Sequence, residues 1–280
     1  MGHSGSLRSS VGGRQPQVNE ITHPSQIMDQ LNSVCPIFIK KESLRFSQFG
    51  SGVLIDFRGQ VFLLTAAHVI DELANGAALL IPHRNNEIRE LEGSYAYWKA
   101  RGDRSSDIHD YGYFKLDEEF ALGLRELFYF VNEHEFGIKE AYEPFDLFTF
   151  AGFPFRKSNV SGRTASTEFF AYNSTHASPS VYEKIGCSLG ANIVSRFNRK
   201  QGYNPHAKLM QLPVLPHGIC GGGVFVWPST FAKLPPSDRR LVGVGHTFKK
   251  EGLFIATRLE IFLNAILRNN PSLAVDRKSV

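Results

Sequence analysis

Cysteine, long apolar runs and targeting signals are the features that this chain has least of. Its 280 residues include three cysteines, Cys35, Cys187 and Cys220, an odd number that cannot all pair. Because no secretory signal opens the chain either, we expect the protein to work in a reducing cytoplasm. No apolar stretch reaches the length that spans a bilayer, so no membrane partner is expected.

Clustered charge and ligand-binding motifs are also missing. The net charge is only +4 with a pI near 8.9, and the basic residues are scattered, which argues against nucleic acid as a partner. No Cys and His residues have metal-ligand spacing, and the glycines at 221–223 precede a strand rather than open a helix. The sequence therefore predicts no metal and no cofactor.

What the chain does contain is many short apolar segments separated by turns. Residues 117–127 form one predicted connecting helix, and residues 258–268 carry an apolar stripe with the spacing of an amphipathic C-terminal helix. The predicted strands lie in two groups of six: 34–40, 50–57, 60–65, 77–82, 94–99 and 108–116, then 147–154, 166–172, 209–212, 223–226, 241–245 and 253–256.

This pattern predicts an all-β fold of two six-stranded antiparallel β-barrels with a C-terminal α-helix. We expect a flexible tail over residues 1–28, because that stretch is rich in Ser, Gly, Arg and Gln. The first barrel is predicted over 29–130 and the second over 131–270, with a second tail over 271–280. Long loops are expected between residues 172 and 202.

One glycine-dense turn stands out in the second half. The stretch from Pro216 to Phe225 places Cys220 among four glycines, so that little side-chain bulk surrounds the sulfur. In the first half, His68 follows an apolar strand and Asp110 begins another. The chain thus carries histidine, aspartate and a nucleophile in the order of a chymotrypsin-type triad.

Several blocks resemble those of the trypsin-like peptidases, whose fold is the double barrel of chymotrypsin. Gly50-Ser51-Gly52, Thr65-Ala66-Ala67-His68, Asp110-Tyr111-Gly112-Tyr113-Phe114-Lys115-Leu116, Gly152-Phe153-Pro154 and Gly218-Ile219-Cys220-Gly221-Gly222 are similar to the family's blocks and lie in the family's order. Cysteine stands where most members have serine, as in the picornavirus 3C-type cysteine peptidases. The resemblance covers roughly residues 30–268.

The resemblance implies a role for each residue of the site. Cys220 would be the nucleophile and His68 the general base, and the amides of Gly218 and Cys220 would form the oxyanion hole. Asp110 would orient His68, although Asp107 lies three residues earlier and competes for that role. Asp110 fits better, because it directly precedes the apolar strand.

Ile219 departs from the members that are activated by cleavage. Those members have an aspartate at this position, which pairs with the newly formed N-terminus. Isoleucine cannot form an ion pair, so the oxyanion hole is expected to be preformed or to be set by a regulatory partner protein.

The substrate pocket is less well defined by the sequence. Glutamate- and glutamine-specific members of the resembled family bind the substrate side chain with a histidine in the corresponding strand. His246 lies one position later, so strand alternation turns it to the opposite face. A position on the rim of the pocket is equally consistent with the sequence for both His246 and His217. The candidate wall residues are Val214, Leu215, His217, Val244, Gly245 and His246.

Two functions remain open at this point. The first is an endopeptidase that cleaves protein or peptide substrates through a Cys-His-Asp triad and a thioester acyl-enzyme. The alternative is a catalytically silent trypsin-like module that binds a peptide or partner, or a serine peptidase that carries cysteine at position 220.

Overall fold

The computed structural model describes most of the chain. The described residues are 2–7, 17–22, 29–41, 46–100, 102–104, 107–143, 146–161, 164–197, 202–204, 209–211, 215–227 and 238–274.

Strands dominate the described part of the chain. They are β1 (Gly2–Leu7), β2 (Gln17–Thr22), β3 (Val34–Lys40), β4 (Phe46–Phe57), β5 (Gln60–Thr65), β6 (Ala78–His83), β7 (Glu87–Glu90), β8 (Gly93–Trp98), β9 (Gly112–Leu116), β10 (Val131–Asn132), β11 (Leu147–Gly152), β12 (Ser158–Ser161), β13 (Thr164–Glu168), β14 (Phe170–His176), β15 (Asn192–Phe197), β16 (Gly202–Asn204), β17 (Leu209–Gln211), β18 (Gly223–Val226), β19 (Arg240–Lys249) and β20 (Leu253–Arg258). The α-helices are α1 (Ala67–Ala74), α2 (Glu118–Arg125), α3 (Pro179–Ile185) and α4 (Leu259–Asn269).

The first sheet is built around the β4–β5 hairpin. Arg58 and Gly59 both have positive φ, which is the conformation that a two-residue turn between right-twisted strands requires. Strands follow one another in the order β1-β8-β9-β5-β4-β3-β6-β7-β2-β13-β12, and β10 pairs with β4. Along this path the hydrogen-bonded ladder stays open.

The second sheet closes on itself. Strands β11, β18, β19, β20, β15 and β14 form a continuous ladder, and antiparallel pairing of β14 with β11 completes a six-stranded barrel. Aromatic rings fill it: Phe150 stacks on Phe254 at 4.6 Å between ring centroids, and the buried Tyr172 and Phe197 rings pack beside them.

The two sheets share a core, which explains the unbroken apolar runs of several strands. Leu54 and Leu63 face the interior of the first sheet, whereas Val53 and Leu64 face a cluster that also contains Phe225 from the second sheet. Because both faces of these strands are buried, neither face is polar.

Helix α4 joins the halves. It follows β20 of the second sheet directly but contacts residues of the first half of the chain. The ring of Phe262 lies edge-on to that of Tyr111, with 5.6 Å between the ring centroids, and Asn269 donates to the Tyr113 hydroxyl at 3.0 Å. Its apolar stripe is buried in the shared cluster.

The all-β fold with a C-terminal helix is confirmed, but several details differ from the expectation. The first sheet stays open, and the sixth strand of the closed barrel is β15, from a region expected to be loops. The predicted strand at 209–212 corresponds to β17, which forms a short hairpin with β16 outside the barrel ladder. Strand β15 is largely buried, but polar residues at three of its six positions hide the strand signal in the sequence.

The edges of the first sheet also depart from the expected boundaries. Strands β1 and β2 lie where a flexible tail was expected, and the β12–β13 hairpin joins the first sheet although it belongs to the second half of the chain. Edge pairing uses backbone groups, so it leaves little mark on the side-chain pattern. No helix in the described ranges is both long enough and apolar enough to cross a membrane.

Candidate active site

His68 is held at the start of a helix by one carboxylate. It is the second residue of α1, where backbone N–H groups have no partner within the helix. Its N–H donates to Asp110 Oδ1 at 2.9 Å, and its ring Nδ1 lies 2.6 Å from Asp110 Oδ2. Asp110 therefore fixes both the helix end and the ring.

Asp110, rather than Asp107, is the carboxylate beside His68. Asp110 is only 4% exposed and immediately precedes Tyr111 and strand β9. Asp107 instead accepts from Arg104 at 3.0 Å and from the N–H of His109 at 2.9 Å, which makes it part of a surface loop.

Electrostatics favour a charged pair. Burial alone would lower the pKa of His68, but the hydrogen bonds and negative charges of Asp110 and Cys220 hold that pKa well above its usual value. Burial would likewise raise the pKa of Asp110, yet the bond to His68 keeps it below the usual range. The raised pKa of His68 favours the protonated form of the ring beside the Asp110 carboxylate.

Cys220 sits on a turn that only glycine allows. Gly218 and Gly221 have φ of 95° and 89°, and a Cβ on Gly221 would lie 2.0 Å from the carbonyl oxygen of Ser51. A Cβ on Gly222 would lie 2.0 Å from the Ala151 oxygen. The turn therefore packs its bare backbone against both sheets and leaves the Cys220 side chain partly exposed.

The other two cysteines lie in different surroundings. Cys35 is fully buried, donates weakly to the Gly52 carbonyl at 3.6 Å, and has its pKa strongly raised by burial. Burial also raises the pKa of Cys187, which packs at the edge of a small cluster around Tyr182. Neither thiol has a histidine partner among the described contacts.

Two backbone amides beside Cys220 are free. The N–H groups of Gly218 and Cys220 have no acceptor within the part of the chain that the structure describes. Ile219 between them is 6% exposed and packs in the core of the closed barrel. Apolar contacts thus hold the middle of the turn.

The candidate pocket residues do not form one group. His217 is exposed and Leu215 half-buried, whereas Val244 is fully buried. The N–H of Gly245 is bonded to the Gly222 oxygen at 2.9 Å. Val214 lies outside the described residues.

His246 points to the interior of the molecule. It is 4% exposed and follows the irregularity that begins at Gly245 in the β19–β20 ladder. Its Nδ1 lies 2.9 Å from the Thr247 hydroxyl, and burial is the main cause that lowers its pKa to about 4, with smaller influences from Asp110 and His68. His246 is therefore buried rather than on the substrate rim, and the strand alternation was the signal for it.

Sequence reasoning gave Ser51 no role of its own, although the structure places it under the Cys220 turn. Its N–H donates to the Cys220 oxygen at 2.8 Å, and its hydroxyl lies 3.3 Å from the Gly218 oxygen. No group of three acidic, His or Cys side chains in the described ranges could hold a metal ion.

Comparison with known proteins bears on the fold. No family model and no curated protein matches the chain. Among solved structures it is similar to one titled "Structure of GrC", of a granzyme with the trypsin-like protease fold, over 89% of this chain and 99% of that one, with a TM-score of 0.53 and 14% identity. The fold is trypsin-like. At this identity the likeness extends to the fold alone.

Proposed function

We propose that this protein is a cysteine endopeptidase in which Cys220, His68 and Asp110 act together. The observation that carries the proposal is the position of the His68 ring, whose Nδ1 is bonded to Asp110 and whose pKa is raised by both Asp110 and the nearby Cys220. A histidine that served only the core would not need a partly exposed sulfur as its second partner.

The arrangement supports acyl transfer in two stages. The Cys220 thiolate attacks the scissile carbonyl carbon and forms the C–S bond, while the amides of Gly218 and Cys220 stabilise the oxyanion. His68 then gives its proton to the leaving nitrogen as the C–N bond breaks, which leaves a thioester. A water attacks this thioester with His68 as the base, and the acid product and the thiol are released.

Asp110 keeps the imidazolium oriented through this cycle. Because both of its oxygens are engaged by His68, it resists rotation as well as stabilising the charge. A thiol has a lower reference pKa, about 8.5, than a serine hydroxyl, so the base has less to do than in a serine enzyme.

A peptide library with mass-spectrometric readout tests the proposal. We expect cleavage by the parent protein, a thioester adduct on Cys220 with a slow substrate, and loss of both in Cys220→Ala. We also expect iodoacetamide to alkylate Cys220 faster than Cys35 and Cys187 at neutral pH. Uniform labelling of the three thiols would refute the nucleophile assignment.

The alternative is a silent binding module, in which the surface around the partly exposed Cys220 holds a peptide without cleaving it. Cys220→Ser separates these readings. A large gain in hydrolysis would indicate a site shaped for oxygen, a large loss would indicate a working cysteine enzyme, and peptide binding without cleavage in either protein would indicate the module.

A further inference from the structure

Hydrogen bonds hold the backbone of the Cys220 turn at four consecutive carbonyls. The oxygens of His217, Gly218, Ile219 and Cys220 each accept a hydrogen bond. Their donors are, in that order, the N–H of Phe155 at 3.0 Å, the hydroxyl of Ser51 at 3.3 Å, the N–H of Gly222 at 2.8 Å and the N–H of Ser51 at 2.8 Å.

These bonds determine where the amides point. In a trans peptide the C=O of one residue and the N–H of the next point in opposite directions. Because the His217 oxygen faces Phe155, the N–H of Gly218 faces away from it, and because the Ile219 oxygen faces Gly222, the N–H of Cys220 faces away from that glycine. Both amides are thereby left free.

Ser51 is the centre of this arrangement. It is fully buried, and its hydroxyl also accepts the N–H of Phe153 at 3.0 Å, at the end of β11. Its own oxygen accepts the Thr65 hydroxyl at 2.8 Å. One side chain of the first sheet therefore connects the end of a second-sheet strand to the turn that carries Cys220.

We propose that Ser51 is a positioning residue: it holds the Gly218 oxygen and so fixes the peptide that links the two oxyanion amides. Together with the N–H groups of Phe155 and Gly222 it keeps the oxyanion hole preformed, so that activity needs neither N-terminal cleavage nor an activating partner. Ile219 contributes by anchoring the middle of the turn in the core of the closed barrel. This inference rests on the proposed peptidase function.

Ser51→Ala tests the role of the hydroxyl. The variant leaves the Gly218 oxygen and the Phe153 N–H without this partner, so the turn can rotate its peptides. We expect kcat to fall about tenfold to a hundredfold with KM changed less than threefold. Alkylation of Cys220 by iodoacetamide should stay within about twofold, because that reaction needs the thiolate but develops no oxyanion.

A matched control is Ser174→Ala, which deletes a buried hydroxyl that donates to the Ser195 hydroxyl at 2.9 Å inside the closed barrel. Its kcat should stay within about twofold of the parent. A merely structural role for Ser51 would lower hydrolysis and alkylation in the same proportion, or would lower neither, and either result would overturn the proposal.

A second pair of variants keeps the test valid if Ser51→Ala does not fold. Phe155 is 46% exposed, so Phe155→Pro and Phe155→Ala both spare the core. Only the proline removes the N–H that holds the His217 oxygen. We expect roughly a hundredfold loss of kcat in Phe155→Pro and less than fivefold in Phe155→Ala. Equal losses would contradict the proposal.

Capture of a peptide aldehyde separates this inference from the peptidase proposal. The aldehyde forms a hemithioacetal whose oxyanion needs the hole but whose formation needs no turnover. We expect tight capture by the full chain alone. If iodoacetamide labels Cys220 selectively but the aldehyde binds only after a partner or protease is added, the hole is not preformed. If labelling itself is unselective, the peptidase proposal fails instead.

Discussion

The two sheets position their parts of the candidate site by different physical means. In the first sheet, a charged side chain positions the histidine: the Asp110 carboxylate holds both the backbone and the ring of His68. In the second, side chains are excluded, and the bare backbone of Gly221 and Gly222 packs against neighbouring carbonyls. Changes in the first sheet should therefore alter electrostatics, and changes in the second should alter geometry.

Gly221→Ala should cause the largest effect. Its Cβ would lie 2.0 Å from the Ser51 oxygen and 2.2 Å from the Thr65 hydroxyl, at a φ of +89°. We expect activity to fall more than about a thousandfold and the free energy of unfolding by about 3 kcal/mol or more, measured by urea denaturation.

The control for this change is Gly76→Ala. Gly76 has a similar φ of +78°, but no atom lies within 4 Å of the added Cβ. Only the backbone strain remains, so we expect a cost of about 1 kcal/mol and parental activity. Similar losses in both variants would mean that strain, rather than close backbone packing, makes the turn sensitive.

Acidification should weaken the fold through His246. Burial is the main cause that lowers its pKa from 6.5 to about 4, so the folded protein binds fewer protons than the unfolded chain between these values. The stability that comes from keeping His246 uncharged is fully present above pH 6.5 and is lost as the pH falls through about 4. The loss is roughly 3 kcal/mol, and urea unfolding at a series of pH values measures it.

The depressed pKa of Asp110 acts in the same direction at lower pH. His246→Gln should flatten the part of the stability profile between pH 4 and 6.5 and leave the steeper fall below it. An unchanged profile would show that His246 does not titrate in the folded protein as its burial requires.

Asp110→Asn should lower kcat by roughly a hundredfold. The corresponding change in a serine triad costs about ten-thousandfold, and the loss should be smaller here because a thiol needs less help from its base. Losing the carboxylate should also lower the pKa of His68, so the alkaline limb of the pH–rate profile should move to lower pH. Asp107→Asn, which disturbs only the Arg104 loop, should change kcat less than threefold.

Cys187→Ser should have the smallest effect. Cys187 is half-buried near Tyr182 and is remote from the His68 contacts. Hydrolysis should stay within about twofold of the parent, and iodoacetamide should still label Cys220. A marked loss of activity would mean that the closed barrel transmits changes at the Tyr182 cluster to the Cys220 turn.

The sequence predicts the side chains of the first sheet's part of the site better than it predicts the backbone contacts of the Cys220 turn. The all-β fold could be predicted because apolar strands and turn residues alternate along the chain, and His68 and Asp110 could be singled out because their blocks resemble those of a known family. The two hydrogen bonds between Asp110 and His68 could not be predicted, since they depend on the orientation of a helix end.

Backbone-level features were the hardest to predict. Nothing in the side-chain pattern indicates that β12 and β13 join the first sheet. The role of Ser51 was hidden for the same reason: the residue is small, and its partners are main-chain groups distant in sequence.

The packing of α4 has a consequence for how the molecule acquires its site. The helix is the last long element of the chain, yet it contacts β9, which begins next to Asp110. The charged pair can form early, from a region that is contiguous in sequence, but the sulfur is brought to it only when the barrel and this helix dock. Contacts between such distant segments form slowly. Refolding should therefore pass through a stage in which the thiol reacts without selectivity, and competence for hydrolysis should appear together with the last phase of folding.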